Sequence, residues 1–161
     1  MVKAKPHRRV RRLKPVPPGT IRDAIRALGY RASFVLSKGS VMEIRAVMGD
    51  RLVAVEVHRS NETDDLAGYV AATFRAELAM PAKVAGRLAA NWGRTERAGR
   101  LVSHGNVLVL EMDLLHGGPT RYLRAQILHW SCLLRQLTEG AHATEIKTMA
   151  KPRRIFLRRF P

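Results

Sequence analysis

Apolar positions recur with two different periods along the chain, and the changes of period predict the order of its helices and strands. In GTIRDAIRALGY, Ile21 and Ile25 share one helical face, and Thr20 has a side chain suited to an N-cap. Asp23 follows three residues later, as the acidic residue of a capping box does. Gly29 predicts the helix end, because glycine readily adopts the left-handed conformation that follows a last turn.

Three segments rich in β-branched and apolar residues come next and are too short for helices: YRASFVL, SVMEIRAV and RLVAVEVHR. Turn-like residues separate them at Lys38-Gly39-Ser40 and at Met48-Gly49-Asp50. Apolar Ile44 alternates with charged Glu43 and Arg45, which is typical of a strand with one packed and one wet face. After the polar stretch RSNETDDLAG, GYVAATFRAEL is a fourth predicted strand. These segments predict an antiparallel meander.

A second helix is predicted after Pro81, because proline suits the first turn of a helix. Val84, Leu88 and Trp92 follow at every fourth position and would share one buried face. Gly93 comes directly after this run. The helix is therefore predicted to stop at Gly93.

The rest of the chain repeats this alternation of strands and helices. RLVSH and NVLVLEMDLL predict two strands joined by a turn around His104-Gly105. In the closing helix, Leu123, Ile127 and Trp130 recur at spacings of four and three, and Gly140 is predicted to end it. The element order predicts an α+β domain in which helices pack against an antiparallel sheet.

The net charge of +16 is concentrated at the two ends of the chain. Residues 1–20 contain seven basic residues and residues 147–161 contain six, with no acidic residue in either stretch, so the middle carries only +3. The N-terminal stretch is also rich in proline and lacks an apolar period. We predict a basic disordered arm at 1–19, a folded domain at 20–140 and a basic C-terminal arm at 141–161.

The arms predict contact with a polyanion, because clustered cations release the counterions condensed on it. The predicted polyanion-binding residues are Arg8, Arg9, Arg11, Arg12, Lys14, Lys151, Arg153, Arg154, Arg158 and Arg159. Only Phe156 and Phe160 offer aromatic rings in the arms, so base stacking is not predicted. Nucleic acid, an acidic protein or membrane surface, and no specific role all remain open.

The predicted compartment rests on the single cysteine and on the lack of a membrane span and of a secretory signal. Cys132 is the single cysteine and cannot form an internal disulfide; its neighbours Trp130 and Leu133 favour a buried thiol. No apolar run approaches the roughly 20 residues of a membrane span. Pro15 to Pro18 occupy the place of the apolar region of a secretory signal. We predict a cytoplasmic protein without a membrane span.

Candidate chemistry is sparse, and an enzyme is not predicted. The six histidines are not spaced from one another, from cysteine or from acids as metal sites require, so neither a metal nor another cofactor is predicted. His129 is interpreted as half-buried packing. Glu111 and Asp113 share a strand face with Val107 and are interpreted as its polar end. Gly117-Gly118 is interpreted as a tight turn before the last helix. Nucleophile-elbow, P-loop and dinucleotide-binding motifs are missing.

The stretch AANWGRTERAGRLVSHGNVLVLEMDLLHGGPTRYLRAQILHWSCLLRQL resembles the second half of the YbjN family, also described as bacterial sensory transduction regulators. The resemblance lies in a basic stretch at Asn91 to Arg97 and a strand at Leu108 to Leu114. It continues in a turn at Gly117-Gly118 and a long helix at Tyr122 to Leu137. Residues from Ile21 to Leu78 fit the family's opening helix and meander in order, with weaker motifs.

The resemblance implies a fold similar to class I type III secretion chaperones, small α+β domains that are usually homodimers and hold extended partner segments. It implies no catalytic residue. We therefore expect a non-enzymatic, chaperone-like or adaptor module that binds a partner protein as a homodimer. The basic arms would steer it to an acidic target. The alternative is a nucleic-acid-associated protein that binds RNA or DNA through its arms.

Overall fold

A computed structural model describes residues 16–36, 42–58, 70–95, 98–115 and 119–149. The helices are α1 (Pro18–Ala27), α2 (Ala82–Thr95) and α3 (Thr120–Met149), and the strands are β1 (Arg31–Leu36), β2 (Met42–Met48), β3 (Arg51–Val57), β4 (Val70–Ala79), β5 (Arg100–His104) and β6 (Val107–Leu115). Their order along the chain is the predicted one and confirms the α+β class. The predicted turn at Lys38-Gly39-Ser40 and the polar stretch RSNETDDLAG lie outside the described residues.

The six strands form one antiparallel sheet in the order β1-β2-β3-β4-β6-β5. Strands β1 to β4 are consecutive neighbours, which confirms the predicted meander. The chain then passes through α2 to the far edge, where β5 turns at Gly105-Asn106 into β6. Strand β6 therefore lies between β5 and β4, and pairs with β4 from Val70↔Leu115 to Ala79↔Val107. The two edges of the sheet are β1 and β5.

The helices cover one face of this sheet. Helix α1 packs on β1, α2 packs on β5 and β6, and α3 contacts both other helices and β6. Trp130 of α3 is fully buried, with its ring centroid 5.5 Å from that of Phe74 in β4. Alternate strand residues reach the same core: Ile44, Ala46, Val53, Val55, Ala76, Leu78, Leu108, Leu110 and Leu114. None of the helices α1 to α3 lies on the opposite side, and we call it the open face.

Helix α3 crosses the covered face from one side of the sheet to the other. Its residues 122–129 line a cleft with Gly99 at the start of β5. Its residues 131–139 line another cleft with Gly49, in the turn between β2 and β3. This path lets one helix contact the core along residues 123–141, and its apolar face buries Leu123, Ile127, Leu134 and Leu137 beside Trp130.

The first helix begins two residues before the predicted N-cap. Helix α1 starts at Pro18 with Pro17 as its N-cap, and no side chain caps it. The expectation for Thr20 is wrong because proline already has the φ of a first helical turn and no N–H group to satisfy. The predicted end is confirmed: Gly29 has φ +87° and its N–H donates to the Arg26 carbonyl at 2.9 Å.

Two glycines predicted to end helices lie inside them instead. Helix α2 continues through Gly93 to Thr95, and α3 continues through Gly140 to Met149. A glycine inside a helix costs only about 1 kcal/mol relative to alanine. Packing outweighs this cost, since Trp92 packs against the core before Gly93 and Ala141 is buried after Gly140. Both predicted ends are therefore wrong.

Gly93→Ala should stabilise the fold by about 0.5–1 kcal/mol, because alanine loses less backbone entropy in a helix. A Cβ at Gly93 would meet no atom within 4 Å. Gly49→Ala is a matched control, because its Cβ would also enter open space but its φ is +65°. We expect that control to destabilise by about 1–2 kcal/mol. Urea unfolding measures both changes, and stabilisation by Gly49→Ala would contradict the argument.

Candidate functional site

The exposed sides of α2 and α3 carry a cluster of unneutralised cations. We call this cluster the helical basic surface, and it consists of Lys83, Arg87, Arg94, Arg121, Arg124 and Arg135. All six residues are exposed. Neither α2 nor residues 120–138 of α3 contain an acidic residue. The two helices contact each other, so their cations belong to one layer of the molecule.

The amphipathic pattern of each helix places these cations on the outside. In α2, Val84 and Ala85 are buried against the sheet, while Lys83 and Arg87 are one turn apart on the outer side. In α3, Arg121 and Arg124 alternate with the buried positions Leu123 and Ile127 in the same way. With a rise of about 1.5 Å per residue, the cations extend over roughly 16 Å of α2 and roughly 21 Å of α3.

Two of these cations oppose the local stability of their helices, whereas Arg94, in the last turn of α2, is favoured by the helix dipole. Lys83 and Arg121 lie in the first turns of α2 and α3, where the helix dipole favours acidic residues. No helix has an acidic residue in its first turn. Within the ranges that the structure describes, no carboxylate lies within ion-pair distance of the six cations. A charge arrangement that conflicts with local preference is expected at functional sites.

The open face has the opposite electrostatics, because its arginines lie among acids. Arg75 of β4 contacts Glu77 at 2.8 Å and Glu111 of β6 at 3.5 Å. Arg100 of β5 contacts the same Glu111 at 3.6 Å and Asp113 at 3.3 Å. The register explains these contacts, since Glu111 lies between Arg75 and Arg100 on the two neighbouring strands. One ladder of ion pairs thus extends across β4, β6 and β5, and its members are Arg75, Glu77, Arg100, Glu111 and Asp113.

A hydrogen-bond chain extends this ladder toward β3. The Thr73 hydroxyl donates to Asp113 Oδ1 at 2.9 Å. Its oxygen lies 2.9 Å from His58 Nε2. Because the single hydroxyl hydrogen is used toward Asp113, His58 Nε2–H is the donor to Thr73. The chain orients Asp113 toward Arg100, and the Thr73 proton is directed away from the imidazole that would have to accept it in nucleophilic catalysis.

The position of Arg75 in the ladder raises the pKa of its guanidinium. The hydrogen bond to Glu77 raises this pKa above the usual arginine value, burial lowers it, and attraction by Glu77, Glu111 and Glu56 raises it further. Arg75 therefore keeps its charge over the whole range in which proteins fold.

Two clefts lie at the ends of the path of α3. One, of about 320 Å³, is lined by Tyr30, Arg51, Cys132 and Arg135, among others. The other, of about 410 Å³, lies beside Gly99 and is lined by Asp113, Tyr122, Gln126 and His129. Over the described ranges, no group of three or more His, Cys, Asp or Glu side chains could hold a metal ion.

Two predictions for α3 side chains are wrong. Cys132 and His129 were expected to be buried or half-buried, and both are exposed. The core face of α3 follows Trp130, Leu133 and Leu134, and a residue two positions from Trp130 points about 200° around the helix from it. Sequence neighbours of a buried tryptophan were mistaken for spatial neighbours.

The ten arm residues predicted to bind polyanions lie outside the described residues, as does Gly117-Gly118. Glu111 and Asp113 do share one strand face, as predicted. What the sequence did not reveal are their partners Arg75 and Arg100, which the strand order brings to them. The helical basic surface was also missed, although the spacing of Lys83, Arg87 and Arg94 contained the signal.

No protein-family model matches the chain, and comparisons with curated proteins and with solved structures find no match. The resemblance to the YbjN family therefore stays a prediction. None of the helices α1 to α3 combines the length and apolarity that crossing a membrane requires. A function for the chain can therefore be inferred only from the geometry and charge of its own residues.

Proposed function

We propose that the protein is a non-enzymatic module that binds double-stranded nucleic acid through the helical basic surface. The observation that supports this is the separation of charge between the two sides of the fold. Six exposed cations on α2 and α3 have no carboxylate neighbour among the described residues, whereas Arg75 and Arg100 on the open face are paired with acids. Unpaired cations are the ones that can neutralise phosphates and release counterions.

The chemistry of this surface favours a duplex over a single strand. Single-strand binding proteins stack bases on aromatic rings that line a basic groove. Tyr122, 49% exposed, is the one aromatic residue among the large hydrophobic side chains that the structure shows exposed. Cations spaced along two helices, with Tyr122 as the one exposed aromatic ring described among them, match the regular phosphates of a duplex backbone better than the bases of a single strand. Binding would be non-specific, because phosphate contacts position a protein without reading sequence.

The basic arms would contribute further cations to the same binding event. Residues 1–15 precede α1 and residues 150–161 follow α3, so both arms are continuous with the helical layer in sequence. Their cations add phosphate contacts to those of α2 and α3, and they include the ten predicted polyanion-binding residues. Each neutralised phosphate contributes about −0.9 to the slope of log affinity against log salt.

Arg87→Gln/Arg124→Gln should weaken binding to a duplex of roughly 12 base pairs by about 30-fold near 0.15 M salt. Each lost phosphate contact costs about fivefold at that ionic strength and lowers the salt slope by about 1. Fluorescence anisotropy of a labelled duplex, from about 50 to about 200 mM salt, measures both quantities. The full chain is used, with its arms intact.

Arg31→Gln/Arg45→Gln is the matched control, because it removes two exposed arginines from the open face and changes the net charge equally. We expect less than about a threefold loss and an unchanged slope. Equal losses in the two double variants would show that net charge alone drives binding, and would overturn the proposal. Polyglutamate that binds as tightly as the duplex would point to an acidic protein instead.

A protein-binding adaptor is the second candidate, and the observation that favours it is the edge of the sheet formed by β1. Among the described strands, β1 has a neighbour on one side only, and an extended partner segment adds to a sheet at such an edge. The Arg26 side chain donates to the Ala32 carbonyl of β1 at 2.9 Å, which occupies one acceptor of that strand. Charged groups at an edge also discourage unspecific pairing.

A further inference from the structure

The open face differs from the rest of the molecule in its charge balance. It carries four arginines, Arg31, Arg45, Arg75 and Arg100, and five acids, Glu43, Glu56, Glu77, Glu111 and Asp113. The described side chains of the three helices carry eight cations, Arg22, Arg26, Lys83, Arg87, Arg94, Arg121, Arg124 and Arg135, and two acids, Asp23 and Glu139. In a chain of net charge +16, the open face is close to neutral.

The open face also exposes aliphatic side chains next to its charged ladder. Leu52 of β3 is 60% exposed and pairs with Val47 of β2. Val102 of β5 is 40% exposed and pairs with Val109 of β6. These two side chains lie on strands separated by β4 and β6, so they could supply apolar contacts at two places on the face, while its balanced charges could pair across a contact.

We propose that two copies of this chain associate through the open faces of their sheets. Two copies of a strongly basic protein repel each other least when they meet where neither contributes excess positive charge. The open face meets that condition, and because it carries charges of both signs, a two-fold contact could oppose arginines of one copy to acids of the other. Sheets that pack face to face in this way interdigitate side chains at a separation of about 10 Å.

The area of the open face indicates how much surface two copies could bury. Six strands spaced about 4.8 Å apart, of about seven residues each, give an area of roughly 600 Å² per copy. The pair would bury roughly 1,200 Å², at the lower end of the range for stable protein interfaces. An area of that size is sufficient for a specific contact, and we expect a reversible dimer at micromolar concentration.

Another occupant, the C-terminal segment 150–161, fits the open face less well. That segment carries five cations, Lys151, Arg153, Arg154, Arg158 and Arg159, and no acid. Together with the four arginines already on the open face, it would oppose nine cations to five acids. A second copy keeps the balance of the face unchanged.

Sedimentation of the full chain, from about 1 to about 100 µM, tests the proposal. We expect the apparent mass to rise from one chain to two. Leu52→Gln/Val102→Thr should raise the dissociation constant of the dimer at least about tenfold. Leu128→Gln is the control, because it removes an aliphatic side chain, 47% exposed, from the helical layer, and should change nothing. Circular dichroism verifies that each variant is folded.

The salt dependence of the association distinguishes this contact from pairs of chains that nucleic acid bridges. Raising salt from about 50 to about 300 mM screens the repulsion between two basic chains and should tighten the dimer. Pairs bridged by nucleic acid would come apart instead. A chain that stays monomeric at about 100 µM, or a dimer weakened by Leu128→Gln but not by the open-face variant, would overturn the proposal. Duplex binding is measured separately at submicromolar protein, so either proposal can fail alone.

Discussion

Trp130→Ala should lower the free energy of unfolding by about 3–5 kcal/mol, the largest loss that we expect from any single substitution. Trp130 is 0% exposed and lies at the crossing of α3 over the sheet, with its ring 5.5 Å from that of Phe74. Alanine would leave a cavity between helix and sheet that the surrounding strands cannot close. The aromatic contact with Phe74 would be lost as well.

Urea unfolding followed by circular dichroism measures this loss. Leu128→Ala is the control in the same helix, since Leu128 is 47% exposed, and we expect a change within about 0.5 kcal/mol. Trp130→Phe should lie between the two. It keeps a ring beside Phe74 and removes an indole N–H that has no hydrogen-bond partner among the described residues. Equal losses for Trp130→Ala and Leu128→Ala would show that α3 does not pack as described.

Gly99→Ala should destabilise the fold by about 2–3 kcal/mol, the second largest effect. Gly99 precedes β5 with φ +81°, a left-handed conformation that costs alanine about 1–2 kcal/mol. A Cβ there would also lie 3.2 Å from the Glu111 carbonyl oxygen and 3.4 Å from Leu133 Cδ1. Relief of that contact would shift β5 away from β6 or move α3.

Gly105→Ala is the control that measures the cost of the left-handed backbone without a steric contact. Gly105 has φ +61°, and a Cβ there would meet no atom within 4 Å. It should therefore show the conformational cost alone, about 1–2 kcal/mol. Thermal or urea unfolding of both variants gives the difference. If Gly99→Ala were the milder substitution, the close approach of Gly99 to β6 and α3 would be wrong.

The strands were predictable because each alternation needed only neighbouring residues. Ile44 and Glu43 fall on opposite faces whatever the rest of the chain does. The helix ends at Gly93 and Gly140 were not predictable, because they depend on packing that a local pattern does not contain. The same reason explains Cys132, whose exposure depends on where the core face of α3 lies.

The candidate site was only partly accessible from the sequence. The ion pairs of Glu111 with Arg75 and Arg100 require the order β4-β6-β5, which joins strands far apart in the chain. The helical basic surface follows from helical spacing alone. It was hidden because the balance of +3 over the middle of the chain averages acids on the strands with cations on the helices. A charge count taken separately for each predicted element would have shown it.

The position of β6 between β5 and β4 has a consequence for how the protein is made. Strands β1 to β4 leave the ribosome first and form a local meander, but β4 has no second neighbour until β6 arrives. Phe74 stays uncovered longer still, because Trp130 is synthesised after every strand. Pairing between β4 and β6 closes a longer stretch of chain than the pairing of consecutive strands, so we expect it to be the slow step of folding. We therefore expect the nascent chain to expose the unpaired edge of β4 until β6 arrives, and the apolar sheet face around Phe74 until the last helix is complete.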